Sequence, residues 1–140
     1  MVIVMDKKSK EYYKFKKQVK HLKTVRGQGT ELISIYLAPD YQVTEMTNRL
    51  RDEYGQASNI KSKQTRKNVQ SAIDRILHML KGVNKPPENG VAIFCGSIND
   101  KIELFTVIPP EPVNMTTYRC DSTFLVDPLE DLLEPSQVYG

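Results

Sequence analysis

Apolar residues recur at three- and four-residue intervals through the first part of the chain. In SKEYYKFKKQVKHLKTVRGQG, residues 9–29, Tyr12, Phe15, Val19 and Leu22 share one face of a predicted amphipathic helix, and lysines fill the other faces. Gly27 and Gly29 are expected to stop it by supplying the φ freedom of a tight turn. The period then changes to two: ELISIYLAP alternates Ile33, Ile35 and Leu37 with Ser34 and Tyr36, a half-buried strand ended by Pro39. Helical spacing returns at Val43, Met46, Leu50 and Tyr54, with Asp40 or Thr44 as the start signal and Gly55 as the stop. A further helix over 62–81 is expected to bury Val69, Ile73, Ile76, Leu77 and Leu80, with the Ser62 hydroxyl as its cap.

NKPPENG breaks the helical pattern, and VAIFCG and IELFTVIPP read as two strands joined between Ser97 and Lys101. TTYRCDSTF gives another short strand and turn, and VDPLEDLLE a short last helix with Pro128 near its first turn. The predicted order is α-β-α-α-β-β-β-α. Three successive strands with short connections favour antiparallel pairing, so the expected fold class is α+β: a mostly antiparallel sheet of about four strands packed with helices.

The chain has 140 residues, 39% hydrophobic and 26% charged, which suits one domain with a core of its own and places it close to globular averages. Cys95 and Cys120 show neither CxxC nor His-rich spacing, so no metal site is expected, and free thiols point to a reducing compartment. There is no apolar run of about 18 residues, and MVIVMDKKSK carries too short an apolar stretch for a secretory signal. A cytoplasmic protein without a membrane partner is the expectation. The net charge of +3 hides an asymmetry: nine Lys or Arg lie between Lys7 and Arg26, with Asp6 and Glu11 at the edge, against Asp127, Glu130, Asp131 and Glu134 in the tail. Lys16, Lys17 and Lys20 on the first helix fit a polyanionic partner, although a lysine-rich face is also what a solvated helix looks like.

Catalytic templates are missing. His21 and His78 lie in helical segments away from any Ser, Cys or carboxylate pattern. The Gly27-Gln28-Gly29 run matches neither GxGxxG nor GxxxxGK[ST]. The expectation is a non-enzyme that needs no cofactor. The polar turn QASNIKSKQTRK, residues 56–67, is more informative. Lys61 stands at a helix start, where a cation opposes the macrodipole at a cost of up to about 1 kcal/mol. Together with Lys63, Arg66 and Lys67 it would make a seat for phosphate.

ASNIKS, residues 57–62, resembles the TASNIKS signature of the archaeal and eukaryotic class 1 peptide chain release factors, the proteins that recognise stop codons. YRCDSTF, residues 118–124, is similar to that family's YxCxxxF motif, and GQGTE, residues 27–31, to its GTS loop. The three motifs come in the right order, and the resemblance covers the entire chain, corresponding to the family's N-terminal codon-reading domain. Two positions depart: Gln56 replaces the threonine before ASNIKS, and Glu31 replaces the serine of GTS. A carboxylate near a codon phosphate would repel it, so Glu31 is a poor candidate for direct contact.

The resemblance implies a pocket built from Thr30, Glu53, Asn59, Ile60, Lys61, Ser62, Tyr118 and Cys120, with Phe124 as a structural member of its motif. Single-stranded RNA offers base edges for hydrogen bonding and base faces for stacking. Asn59 has the donor and acceptor to match uracil, and Lys61 can donate to a uracil carbonyl or hold a phosphate. An ionised Glu53 accepts only, which suits an adenine amino group and opposes guanine O6; Tyr118 can stack, and the Thr30 hydroxyl can turn to either role. The resemblance also implies ribosomal RNA as a partner, a translational GTPase partner for the full-length protein, and a GGQ loop in a middle domain. No GGQ occurs here, so the chain is expected to be an isolated, monomeric recognition domain unable to trigger peptidyl-tRNA hydrolysis by itself. A general single-stranded RNA or ribosome-binding module without codon specificity is the alternative. An NTP-using enzyme built on the Gly27 turn is disfavoured for want of a phosphate-binding lysine motif.

Overall fold

Residues 9–133 are described in the computed structural model of the chain; Asp6, Lys7 and Lys8 of the basic stretch and Glu134 of the acidic tail lie outside them. The elements are α1 (Lys10–Thr24), β1 (Leu32–Leu37), α2 (Val43–Ala57), α3 (Lys63–Leu80), β2 (Val91–Ile98), β3 (Lys101–Val107), β4 (Thr117–Asp121) and α4 (Asp127–Glu130). The four strands form one sheet in the order β3-β2-β1-β4, every neighbouring pair antiparallel. The expected α+β class and element order are thus present.

Strand alternation sorts the core into two layers. Ile33, Ile35 and Leu37 of β1 and Ile93 and Cys95 of β2 pack on α2 and α3 through Met46, Leu50, Ile73 and Ile76. Leu32, Tyr36, Ala92 and Phe94 point the other way, onto Tyr12, Phe15, Val19 and Leu22 of α1. All six residues of β1 are therefore buried, where the sequence predicts a half-buried strand. The physical reason is that β1 is an inner strand with helices on both faces, so its Ser34 and Tyr36 find partners rather than solvent. Ser34 Oγ accepts from the Leu125 N–H at 2.8 Å, and the Tyr36 hydroxyl donates to the Leu125 carbonyl.

Ser9 caps α1 and Ser62 caps α3, each side-chain oxygen accepting from the backbone N–H three residues on. Three local expectations change. Gly27 and Gly29 do not have positive φ, and α1 has already ended at Thr24. They serve close approach instead: a Cβ on Gly27 would stand 2.8 Å from the Gly29 carbonyl oxygen, and one on Gly29 would stand 3.2 Å from Thr65 Oγ1. Helix α2 runs through Gly55 to Ala57, and its N-cap is Gln42, without a side-chain cap bond. Tyr54 is 36% exposed, and Ala57 takes the last buried position of α2. On α3, Leu77 is only partly buried, and Ala72 and Asn68 fill the inward face. The β2–β3 hairpin turns on Asn99 and Asp100, with φ of 52° and 66°, the left-handed pair that a two-residue turn of this hand needs.

Candidate nucleic-acid interface

The helical hairpin of α2 and α3 ends in the turn that carries Asn59 to Ser62. Successive backbone N–H groups of Ser58, Asn59 and Ile60 bond the carbonyls of Gly55, Gln56 and Ala57 at 3.2, 3.0 and 3.0 Å, so the turn winds tightly out of α2. Arg66 reaches back from α3, its Nη1 donating to the Ile60 carbonyl at 3.2 Å. Ile60 is half-buried against the α2/α3 core, whereas Asn59 and Lys61 are exposed. The Ser62 hydroxyl is occupied as the α3 cap, accepting from Thr65 N–H at 3.2 Å.

A cleft of about 250 Å³ with mixed polar and apolar walls opens beside Ile60, lined by Thr30, Glu53, Gln56, Tyr118 and Cys120 with Ala57 and Val69. Such a volume lies below the ~300–1,000 Å³ of sites for drug-sized ligands and suits a base edge. Tyr118 and Cys120 reach it because they are two apart on β4 and register with Ile35 and Ile33, the α2/α3 side of the sheet. Phe124, beyond the strand, turns to the opposite face and packs edge-on against Phe94 in the core at 5.3 Å between ring centres.

Local hydrogen bonds tie two of the three motifs together. The Cys120 thiol donates to the Thr30 carbonyl at 3.1 Å, and the Gly27 N–H donates to the Ser122 carbonyl at 2.8 Å. Burial first, then the nearby Glu53, Asp121 and Glu31 carboxylates, push the Cys120 thiol up to about 11, with the neighbouring Tyr118 opposing. Burial, the neighbouring Cys120 and the Glu53 carboxylate likewise drive the Tyr118 phenol well above its ordinary 10.0, so both groups are neutral donors at neutral pH.

The cleft therefore unites Thr30, Glu53, Ile60, Tyr118 and Cys120. Asn59 and Lys61 stand outside its lining, on the same turn. Lys63, Arg66 and Lys67 line a separate groove on the outer side of the α2/α3 hairpin together with Tyr54 and Gln70. Lys16, Lys17 and Lys20 are farther away, exposed on α1 across the sheet, with Lys17 Nζ 4.9 Å from the centre of the Tyr13 ring. His21 packs edge-on against Phe105, 5.8 Å between ring centres. Three contributors escaped sequence reasoning: Gln56 in the lining, Arg49 over the Tyr118 ring, and a buried Glu31 bonded to Asn68. Residue spacing gave a weak cue for Arg49 alone, which lies four residues before Glu53 on α2. Among the described residues no group of carboxylate, histidine and cysteine side chains could hold a metal ion, and no helix is long and apolar enough to cross a membrane.

In fold the chain is similar to an archaeal translation termination factor. The crystal structure of the archaeal translation termination factor aRF1 matches with a TM-score of 0.82 at 33% identity, covering 95% of this chain and 36% of that one. A second solved structure, described as an archaeal protein, matches with a TM-score of 0.83 at 32% identity, covering 95% and 37%. Residues 10–134 match eRF1 domain 1, and the chain belongs to that family. Peptide chain release factor subunit 1 of Thermococcus kodakarensis is 45% identical over 141 residues, covering 97% of this chain and 34% of the relative. That of Methanocaldococcus jannaschii is 49% identical over 138 residues, covering 94% and 33%. The chain spans about a third of the length of the curated relatives it matches.

Proposed function

We propose that this chain recognises the stop codons UAA, UAG and UGA of mRNA in the ribosomal decoding site, and so directs release of the nascent peptide by a full-length factor. The observation that carries the reading is the cleft itself: three segments far apart in sequence bring an acceptor-only carboxylate, an aromatic hydroxyl and a rotatable hydroxyl around one space of base-edge size. Glu53 rejects a guanine O6 and takes an adenine amino group; Thr30 and Tyr118 adapt to either purine. Asn59 and Lys61, exposed at the turn, meet the first uridine and its phosphate, while Lys63, Arg66 and Lys67 hold backbone phosphates next to it. Peptidyl-tRNA hydrolysis and contact with a translational GTPase belong to other parts of a full-length factor, in which this domain acts as a monomer in the cytoplasm.

The test is a chimaeric factor in which the chain replaces the matching segment of Thermococcus kodakarensis peptide chain release factor subunit 1. Peptide release from ribosomes programmed with UAA, UAG or UGA should exceed release with UGG by roughly tenfold or more, since UGG differs from UAG and from UGA at one base and one base contact is worth ~1–3 kcal/mol. Equal release on all four would refute codon reading. It would leave the broader reading, an RNA-binding module without codon specificity, which the exposed Lys16, Lys17 and Lys20 on α1 support.

A further inference from the structure

The loop that presents Thr30 is fixed by a buried polar relay. Glu31 is 2% exposed, and its carboxylate accepts the Gln28 backbone N–H at 3.4 Å and Asn68 Nδ2 at 3.1 Å. Asn68 is itself 9% exposed, and its Oδ1 accepts Gln64 Nε2 at 2.9 Å. Burying a carboxylate is unfavourable unless its oxygens are bonded, and among the described residues no lysine or arginine forms an ion pair with this one. The arrangement links two places that the cleft needs in register. Asn68 and Gln64 stand on the first two turns of α3, directly after Lys61, and Glu31 directly follows Thr30. From the other side, Cys120 holds the Thr30 carbonyl and Ser122 holds the Gly27 N–H. Gly29 lies flat against Thr65, where a Cβ would stand 3.2 Å from Oγ1. Glu31 and Asn68 are buried, and Thr30 is the exposed residue that this loop offers to the cleft.

We infer that Glu31 is a positioning residue for codon discrimination: its carboxylate, clamped by Asn68, sets where the Thr30 hydroxyl stands relative to the Ile60 turn. The inference rests on the stop-codon reading of the cleft. Glu31 touches no base; it acts through Thr30. A carboxylate at this position, where the family signature has serine, is thereby matched to the amide on α3, so positions 31 and 68 work as a donor–acceptor pair.

The pair can be inverted. Asn68→Asp sets a second carboxylate where Nδ2 now donates, leaving two buried acceptors face to face. Adding Glu31→Gln restores every bond with roles exchanged: the amide donates from position 31 to 68, its oxygen still accepts Gln28 N–H, and Gln64 still donates to position 68. In the chimaeric factor, Asn68→Asp should cut release at one or more stop codons about tenfold and change the UAA:UAG:UGA ratio. The inverted pair should return rates and ratio to within about twofold of wild type. In the 140-residue chain, the Gln28 and Thr30 amide resonances should move in the single variant and return in the double. Should Asn68→Asp fail to fold, Asn68→Ala, which removes the donor without adding a charge, carries the same expectation for the ratio. A uniform fall at all stop codons with an unchanged ratio, or an inverted pair no better than Asn68→Asp, overturns the positioning role and leaves codon reading standing. A wild-type chimaera that fails to prefer stop codons over UGG overturns both.

Discussion

The Arg49 guanidinium sits over the Tyr118 ring, its central carbon 5.1 Å from the ring centre, and its Nε lies 3.9 Å from a Glu53 carboxylate oxygen. One cation on α2 therefore joins the aromatic face supplied by β4 to the acceptor one turn farther along its own helix. The Arg49 side chain is 50% exposed, so solvent screens both contacts and their worth is modest. Their effect is directional. Arg49→Ala should cost only about 0.5–1 kcal/mol in urea denaturation; a loss of several kcal/mol would mean that Arg49 supports the core rather than the cleft.

Glu53→Gln tests the purine-reading group. The size is kept, an amide donor appears, and the charged acceptor for an adenine amino group is lost, so guanine O6 becomes a possible partner. A good base-edge pairing is worth ~1–3 kcal/mol, which sets the expected fall in UAA release at roughly tenfold or more, with weaker rejection of UGG. Release rates of the chimaeric factor on UAA, UAG, UGA and UGG decide it. A uniform drop would make Glu53 a shape-holding residue, and unchanged rates would make it a solvated helix position.

Lys61 precedes the Ser62 cap of α3 and is exposed, and no acidic residue occupies the first turn of that helix. Its charge opposes the macrodipole there, so Lys61→Ala should leave the melting temperature unchanged or slightly raised. Release should weaken at every stop codon alike, because the first base is uridine in all three. Full activity in the variant would remove Lys61 from the interface.

Lys16, Lys17 and Lys20 lie on α1, across the sheet from the cleft. Changing all three to Gln should weaken ribosome binding and flatten its dependence on salt, since each lost phosphate contact removes about 0.9 from the log–log slope on a duplex backbone. Codon ratios should stay as they are. An altered ratio would show that α1 reaches the codon and that the cleft is misplaced.

Much of this was legible beforehand. Period-3.6 spacing placed α1, α2 and α3 and alternation placed β1, while breakers and Pro128 marked off the remaining described elements, and the cap at Ser62 and strand signals around Cys120 held to within a residue or two. Helix ends were less legible: Gly55 is a good stop by propensity, yet α2 continues to Ala57, which is buried in the α2/α3 core. The burial of both faces of β1 was hidden, since a six-residue strand with Ser and Tyr at alternate positions carries no sign that α1 would cover its polar side. The cleft was legible only through motif resemblance. No spacing rule connects Glu31 to Asn68, 37 residues apart, and a buried carboxylate looks identical to a solvated one in sequence.

Alkaline pH offers a check on the two thiols. Burial pushes Cys95 from its ordinary 9.0 up to about 12, with Arg75 opposing, and burial followed by nearby carboxylates pushes Cys120 from 9.0 up to about 11. Above pH 9 the unfolded chain has released protons that the folded chain still binds. Stability must then fall as pH rises, because its slope follows the difference in bound protons, unfolded minus folded. The contribution is fully present below about pH 8, declines from pH 9, and ends for Cys120 near 11. Tyr36 and Tyr118 are also raised from 10.0, so the window from pH 8 to 10 isolates the thiols best. Urea denaturation across that window should show wild-type stability decreasing while Cys95→Ala/Cys120→Ala, lower in absolute stability, stays nearly flat. Equal slopes in the two proteins would mean that the thiols ionise in the folded chain as readily as in the unfolded one, and that Cys120 is not the neutral donor that holds the Thr30 carbonyl.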